Sequence, residues 1–165
     1  MTAPTARALR AALATPPVDL VTVATQARAL FAPTDPLRAR WMELELGGYR
    51  AIAQTPMLHD LLGVPLDHHL ARTVADYRTQ IGRIWTKDAR RDTVFHFFVE
   101  PLAEIVAARD RVRAADVQGF VKLAFAIPAS VPEYPRTLEF SADVFEVIVS
   151  GIKAALWHEI GDVAP

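Results

Sequence analysis

Few residues in this chain have types and spacing that could do chemistry. The first are Glu43 and Glu45, in the run Arg40-Trp41-Met42-Glu43-Leu44-Glu45-Leu46-Gly47-Gly48-Tyr49. Paired carboxylates suit general acid–base work when both reach one substrate. On a helix, however, positions i and i+2 point about 200° apart, so these two do not form a dyad. Glu45 stands alone as the acid of interest. It lies four residues after Trp41 and so borders an apolar face, where a carboxylate needs a cation or free N–H groups. Arg28 and Arg50 are candidate partners. Two readings stay open: a structural ion pair, or an acid held beside Trp41 and Tyr49 in a cleft.

The histidines come next. His59 beside Asp60, and Asp67 beside His68-His69, suggest metal ligation. A helical zinc site takes histidines at i and i+4. Adjacent His68 and His69 diverge by about 100° on a helix, so one helix does not aim both at one ion. His59, His68 and His69 are therefore weak metal candidates, and no metal or cofactor is expected. His96 and His158 are isolated.

Basic residues cluster as Arg72, Arg78, Arg83, Lys87, Arg90 and Arg91. Cations near a helix C-terminus are favourable for dipole reasons alone. As a functional alternative, Arg78, Arg83, Lys87, Arg90 and Arg91 offer a nucleic-acid contact. No recognition motif accompanies them, and 18 basic residues against 19 acidic give a net charge of −1, so nucleic acid is not the favoured partner. No cysteine is present, which removes thiolate catalysis and disulfides. G-x-S-x-G, P-loop and G-x-G-x-x-G patterns are absent as well. No catalytic residue is assigned, and the chain reads as more plausibly a non-enzyme.

The elements that must position these residues are mostly helical. The 165 residues fit one domain, 1–165. Thr5 to Ala14 has helical spacing and is broken by Pro16-Pro17. Asp19 caps a helix running to Phe31, with Leu20, Val23, Ala24, Ala27, Leu30 and Phe31 on one face. Asp35 then caps a helix over 36–46, with Pro36 at its first position and Gly47-Gly48 as its stop. The short link makes 19–46 an αα-hairpin. Residues 50–65 read as a loop, followed by a helix over 67–85 on Leu70, Val74, Tyr77, Ile81, Ile84 and Trp85. The charged stretch 86–92 turns the chain. Residues 93–112 carry helical spacing interrupted by Pro101. Either one helix kinks there, or a short segment 93–99 ends and a new helix starts with Pro101 in its first turn. A strand over 93–99 is the alternative. Asp116 reads as the cap of a helix bearing Val117, Phe120, Val121, Ala124 and Phe125, which Pro128 stops. Thr137 to Phe140 is a candidate strand. Ser141 caps the closing helix, with Asp143 in its first turn and Gly161 at its end. The expected fold is mostly α: an irregular bundle of five to seven helices with at most a minor short β element. The N-terminus lacks a secretory h-region and no run is long enough to span a bilayer, so a cytoplasmic protein without a membrane role is expected.

The order of features resembles a known family. A helix of small and apolar residues (Leu20 to Phe31) precedes one ending W-x-E-x-E-x-x-G-Y, with Trp41, Glu43, Glu45, Gly48 and Tyr49. This resembles the AbiTii domain, a bacterial domain associated with abortive infection and phage defence. The stretch from Phe140 through Ile152 and Leu156 is similar to that family's closing helix. The resemblance implies a biological setting and carries over no catalytic residue. The Trp41–Tyr49 motif combined with the lack of a recognisable catalytic set leads to the expectation of a helical module that self-associates or binds a protein partner. A metal-dependent hydrolase or nuclease built on Glu45, Tyr49 and His68 or His69 is the most distant alternative.

Overall fold

The computed structural model describes residues 4–49, 81–89, 92–124 and 137–161. The sequence-assigned loop over 50–65, most of the helix assigned to 67–85, and His59, His68, His69, Arg78, Arg90 and Arg91 lie outside them. The described chain is mostly helical, with two small antiparallel strand pairs.

Three helices open the chain: α1 (Ala6–Ala14), α2 (Leu20–Phe31) and α3 (Pro36–Gly47). Each starts where a side-chain oxygen meets an otherwise orphaned N–H. Thr5 Oγ1 accepts from Ala8 N at 3.2 Å, Asp19 from Thr22 N at 3.0 Å, and Asp35 from Arg38 N at 3.0 Å. Pro36 sits in the first turn of α3, as its fixed φ favours. Helices α2 and α3 pack side by side through the turn 32–35, where Asp35 N donates to Phe31 O at 2.7 Å.

Strands β1 (Ile84–Ala89) and β2 (Asp92–Phe97) pair antiparallel, from Ile84 opposite Phe97 to Ala89 opposite Asp92. The expected helix therefore does not reach Trp85. Gly82 adopts φ +73°, and the chain leaves it as a strand. Residues 93–97 take the strand alternative. Helix α4 (Leu102–Ala114) starts just after Pro101, where a missing N–H costs no intrahelical bond. Strands β3 (Phe120–Ala124) and β4 (Thr137–Ser141) pair antiparallel, with Lys122 and Glu139 3.2 Å apart across them. Of the helix expected from Val117 to Pro128, residues 120–124 are thus a strand, and those from 125 on lie outside the described residues. β4 alternates, with Leu138 and Phe140 inward. Helix α5 (Val144–Gly161) closes the chain. Its first bond runs from Val147 N to Asp143 O at 2.9 Å, which makes Asp143 the capping residue in place of Ser141. The Ser141 hydroxyl donates to the Asp143 carboxylate.

The core gathers around α5, which packs on α1, α2 and α4. Val144, Ile148, Ile152, Leu156 and Ile160 are its buried ridge, meeting Leu9 and Leu13 of α1, Ala24 of α2 and Leu102 of α4 in one cluster. Phe98 sits edge-on to both Phe140 (5.0 Å) and Phe145 (5.7 Å), joining the β2–α4 link to β4 and α5. None of the described helices is long and apolar enough to cross a membrane.

Candidate functional site

Helix α3 sets Trp41 and Glu45 on one side at i and i+4, and Tyr49, two residues past its end, folds back so that its hydroxyl meets the same glutamate. All three are buried with zero exposure, whereas Glu43 faces solvent and pairs with Arg40 at 2.9 Å. The divergence of the two glutamates expected from helical geometry is what the structure shows.

The partner of Glu45 is Arg83. Its guanidinium, also fully buried, donates twice to one carboxylate oxygen: Nε to Oε2 at 3.0 Å and Nη2 to Oε2 at 2.7 Å. The other oxygen, Oε1, accepts from the Tyr49 hydroxyl at 2.6 Å and from Trp41 Nε1 at 3.2 Å. Arg83 spends Nη1 on two backbone carbonyls, Phe98 O at 2.7 Å and Glu100 O at 3.0 Å. Its guanidinium carbon lies 5.1 Å from the centre of the Tyr49 ring, a cation–π contact as well as an ion pair.

Backbone geometry explains why these groups meet. Gly151 of α5 has no Cβ, and one added there would stand 2.7 Å from Ile81 Cα. The 81–83 turn therefore lies directly on α5. Gly82, at positive φ, then turns the chain toward β1, and its carbonyl accepts from Trp85 Nε1 at 2.6 Å. This aims Arg83 inward, and Phe98 N bonds back to Arg83 O at 2.9 Å, extending the β1–β2 ladder by one pair. On the other side, Gly48 ends α3 at φ +84° and ψ 168°, a region open essentially only to glycine. A Cβ there would stand 2.9 Å from Val99 O, and the next residue, Tyr49, donates its N–H to that same carbonyl at 2.7 Å.

A carboxylate offers about four lone-pair sites. All four on Glu45 are taken by protein donors, so no site remains for a substrate proton or a metal ion. The cluster joins three segments: the end of α3, the 81–83 turn and the 98–100 link. Removing one member of a buried pair costs about 3–5 kcal/mol, because the survivor is left charged and unpaired.

The structure thus corrects two expectations. Arg28 is exposed on α2 and is not the partner of Glu45. Arg83, grouped with the nucleic-acid contacts, reaches no solvent because its donors are consumed inside the protein. Arg50 lies outside the described residues, and for Lys87 only the strand backbone is described. No group of three or more histidine and carboxylate side chains is placed to hold a metal among the described residues. Arg83 is the residue that sequence reasoning missed. Its signal was its setting, Ile81-Gly82-Arg83-Ile84-Trp85, where a lone cation follows a glycine inside an apolar run.

Two surface depressions lie elsewhere. One, of about 570 Å³, lies between the end of α4 and the start of α5, with Arg113, Asp116, Gln118 and Asp143 on its walls. The other, of about 280 Å³, is lined by Phe98, Glu104, Ile105, Leu123 and Phe145. No member of the Trp41–Tyr49 motif lines either. Compared with known proteins, the chain matches no family model, no curated protein and no solved structure.

Proposed function

We propose that the chain is a non-enzymatic interaction module that works by associating with itself or with a protein partner. The observation that carries this is the outward face of α5. Val147 and Trp157 there are 42% and 40% exposed, with Ala154 exposed between them. A surface helix ordinarily turns charge to water, so apolar side chains on its outer face point to an interface. Saturation of Glu45 supports the same reading, since the acid best placed for chemistry is occupied in holding the fold together.

The resemblance of Trp41, Glu43, Glu45, Gly48 and Tyr49 to the AbiTii domain supplies the setting: a cytoplasmic component of bacterial abortive infection. The irregular helical bundle belongs to this proposal too. The test is phage plating on bacteria producing the chain at its native level. Protection is expected with the wild type and with Glu43→Gln, and lost with Ala154→Glu, which puts a charge on the α5 face. Protection surviving Ala154→Glu, with the variant folded by circular dichroism, would overturn the reading.

A further inference from the structure

We infer that the partner of the α5 face is a second copy of this chain, with the two α5 helices antiparallel about a twofold axis near Ile152. This inference rests on the interaction-module reading above and specifies the occupant.

Along α5 and its cap, the exposed positions Asp143, Val147, Ser150, Ala154, Trp157 and Gly161 follow at intervals of four and three, and the remaining exposed residue, His158, flanks this line beside Trp157. This is the seam of a left-handed helix pair, in which apolar side chains recur every 3.5 residues. No seam position from Val147 through Trp157 bears a charged side chain. The small residues Ser150 and Ala154 occupy the middle, where two helices approach closest.

The seam is also its own complement when reversed. Turning a second α5 end for end about Ile152 sets Val147 against the other copy's Trp157, and Ser150 against its Ala154. The ends complete the match. Asp143 comes to the other copy's Gly161, and there Arg10 of α1 waits. Arg10 Nη1 lies 3.3 Å from where a Cβ on Gly161 would be, and its guanidinium carbon is 4.4 Å from the centre of the Trp157 ring. Each Asp143 thus meets a cation from the other copy. Glu146, the other acid at that end, is already paired with Arg113 at 2.6 Å. A parallel arrangement would stack Asp143 on Asp143 and Arg10 on Arg10, so charge selects the antiparallel one. The result is an isologous contact, in which the same patch serves both copies.

The chain has no cysteine, so introduced thiols report the geometry directly. Ser150→Cys and Ala154→Cys proteins, mixed in equal amounts and oxidised, should cross-link to each other. Val147→Cys alone should not, because its two copies would sit about 15 Å apart along the pair at 1.5 Å per residue. A disulfide spans roughly 4.4–6.8 Å between Cα atoms. Circular dichroism confirms that each variant folds. Self-linking of Val147→Cys would reveal a parallel pair and overturn the arrangement while leaving the interaction-module reading in place. A dimer by light scattering with no cross-link at either position would do the same. A monomer that binds a different protein through the face would overturn the second copy alone. A monomer with no partner would overturn both.

Discussion

Replacing Arg83 with methionine isolates the Glu45 cluster. Methionine keeps a long flexible side chain and removes every donor. Glu45 Oε2 loses both of its bonds, and the Phe98 and Glu100 carbonyls lose one each. Breaking a buried pair by one partner costs about 3–5 kcal/mol, and the two orphaned carbonyls keep the total from falling below that range. Against a total stability of roughly 5–15 kcal/mol, this is at least about a fifth. At about 2–4 °C per kcal/mol for a chain of this size, the melting temperature should fall by roughly 6–20 °C. Urea unfolding gives the free energy directly, with the slope unchanged if only the native state is affected. The double variant Glu45→Met/Arg83→Met removes both charges and should recover much of the loss, since an apolar pair often replaces a buried ion pair without penalty. A cost below about 1 kcal/mol for Arg83→Met, the range of an exposed ion pair, would refute the buried cluster. So would strict additivity of the two single substitutions.

Neighbouring glycines should respond oppositely. Gly47→Ala lies in α3 with open space around it and should be neutral or stabilise by about 0.5–1 kcal/mol. Gly48→Ala enters strained backbone and crowds Val99 O, and should cost at least about 1–3 kcal/mol, both read by urea unfolding. Gly151→Ala should cost about 1–3 kcal/mol by pushing the Ile81 backbone away, and should raise hydrogen exchange around residues 81–83. Asp19 adds a pH dependence. The Thr22 N–H, then the Thr22 hydroxyl, hold its carboxyl below the ordinary 3.8, so the native state favours the charged form. Its contribution is therefore present above about pH 3.8 and fades as pH falls through the lowered native value. The stability gap between wild type and Asp19→Asn should shrink over that acid range and hold constant above it, by thermal melts across pH.

Much of the first third of the chain was legible because its signals are local. Asp19 and Asp35 cap their helices as their side chains suggest, and Gly48 stops α3. The paired strands were harder for a physical reason. Val117, Phe120, Val121 and Ala124 satisfy a helical spacing, yet a short β-branched and aromatic run satisfies a strand as well, and pairing with 137–141 decided it. The helix assigned through Trp85 failed at Gly82, whose positive φ is fixed by the 81–83 turn lying on α5, a contact from far along the chain. The same distance hid Arg83. Glu45 showed from sequence that it needed a partner, but that partner lies 38 residues away. Which cation filled the place depended on the turn that Gly82 and Gly151 create together. The motif that looked most like a site is thus a joint of the fold, and the α5 surface carries the proposed function.

The most direct test of that division is the molar mass in solution over a rising concentration series, by light scattering. The wild type should climb from 18.2 kDa toward twice that value, while Ala154→Glu, folded and equally stable, stays at 18.2 kDa. A wild type that remains at 18.2 kDa throughout, or an Ala154→Glu variant that associates as well as the wild type, would contradict it.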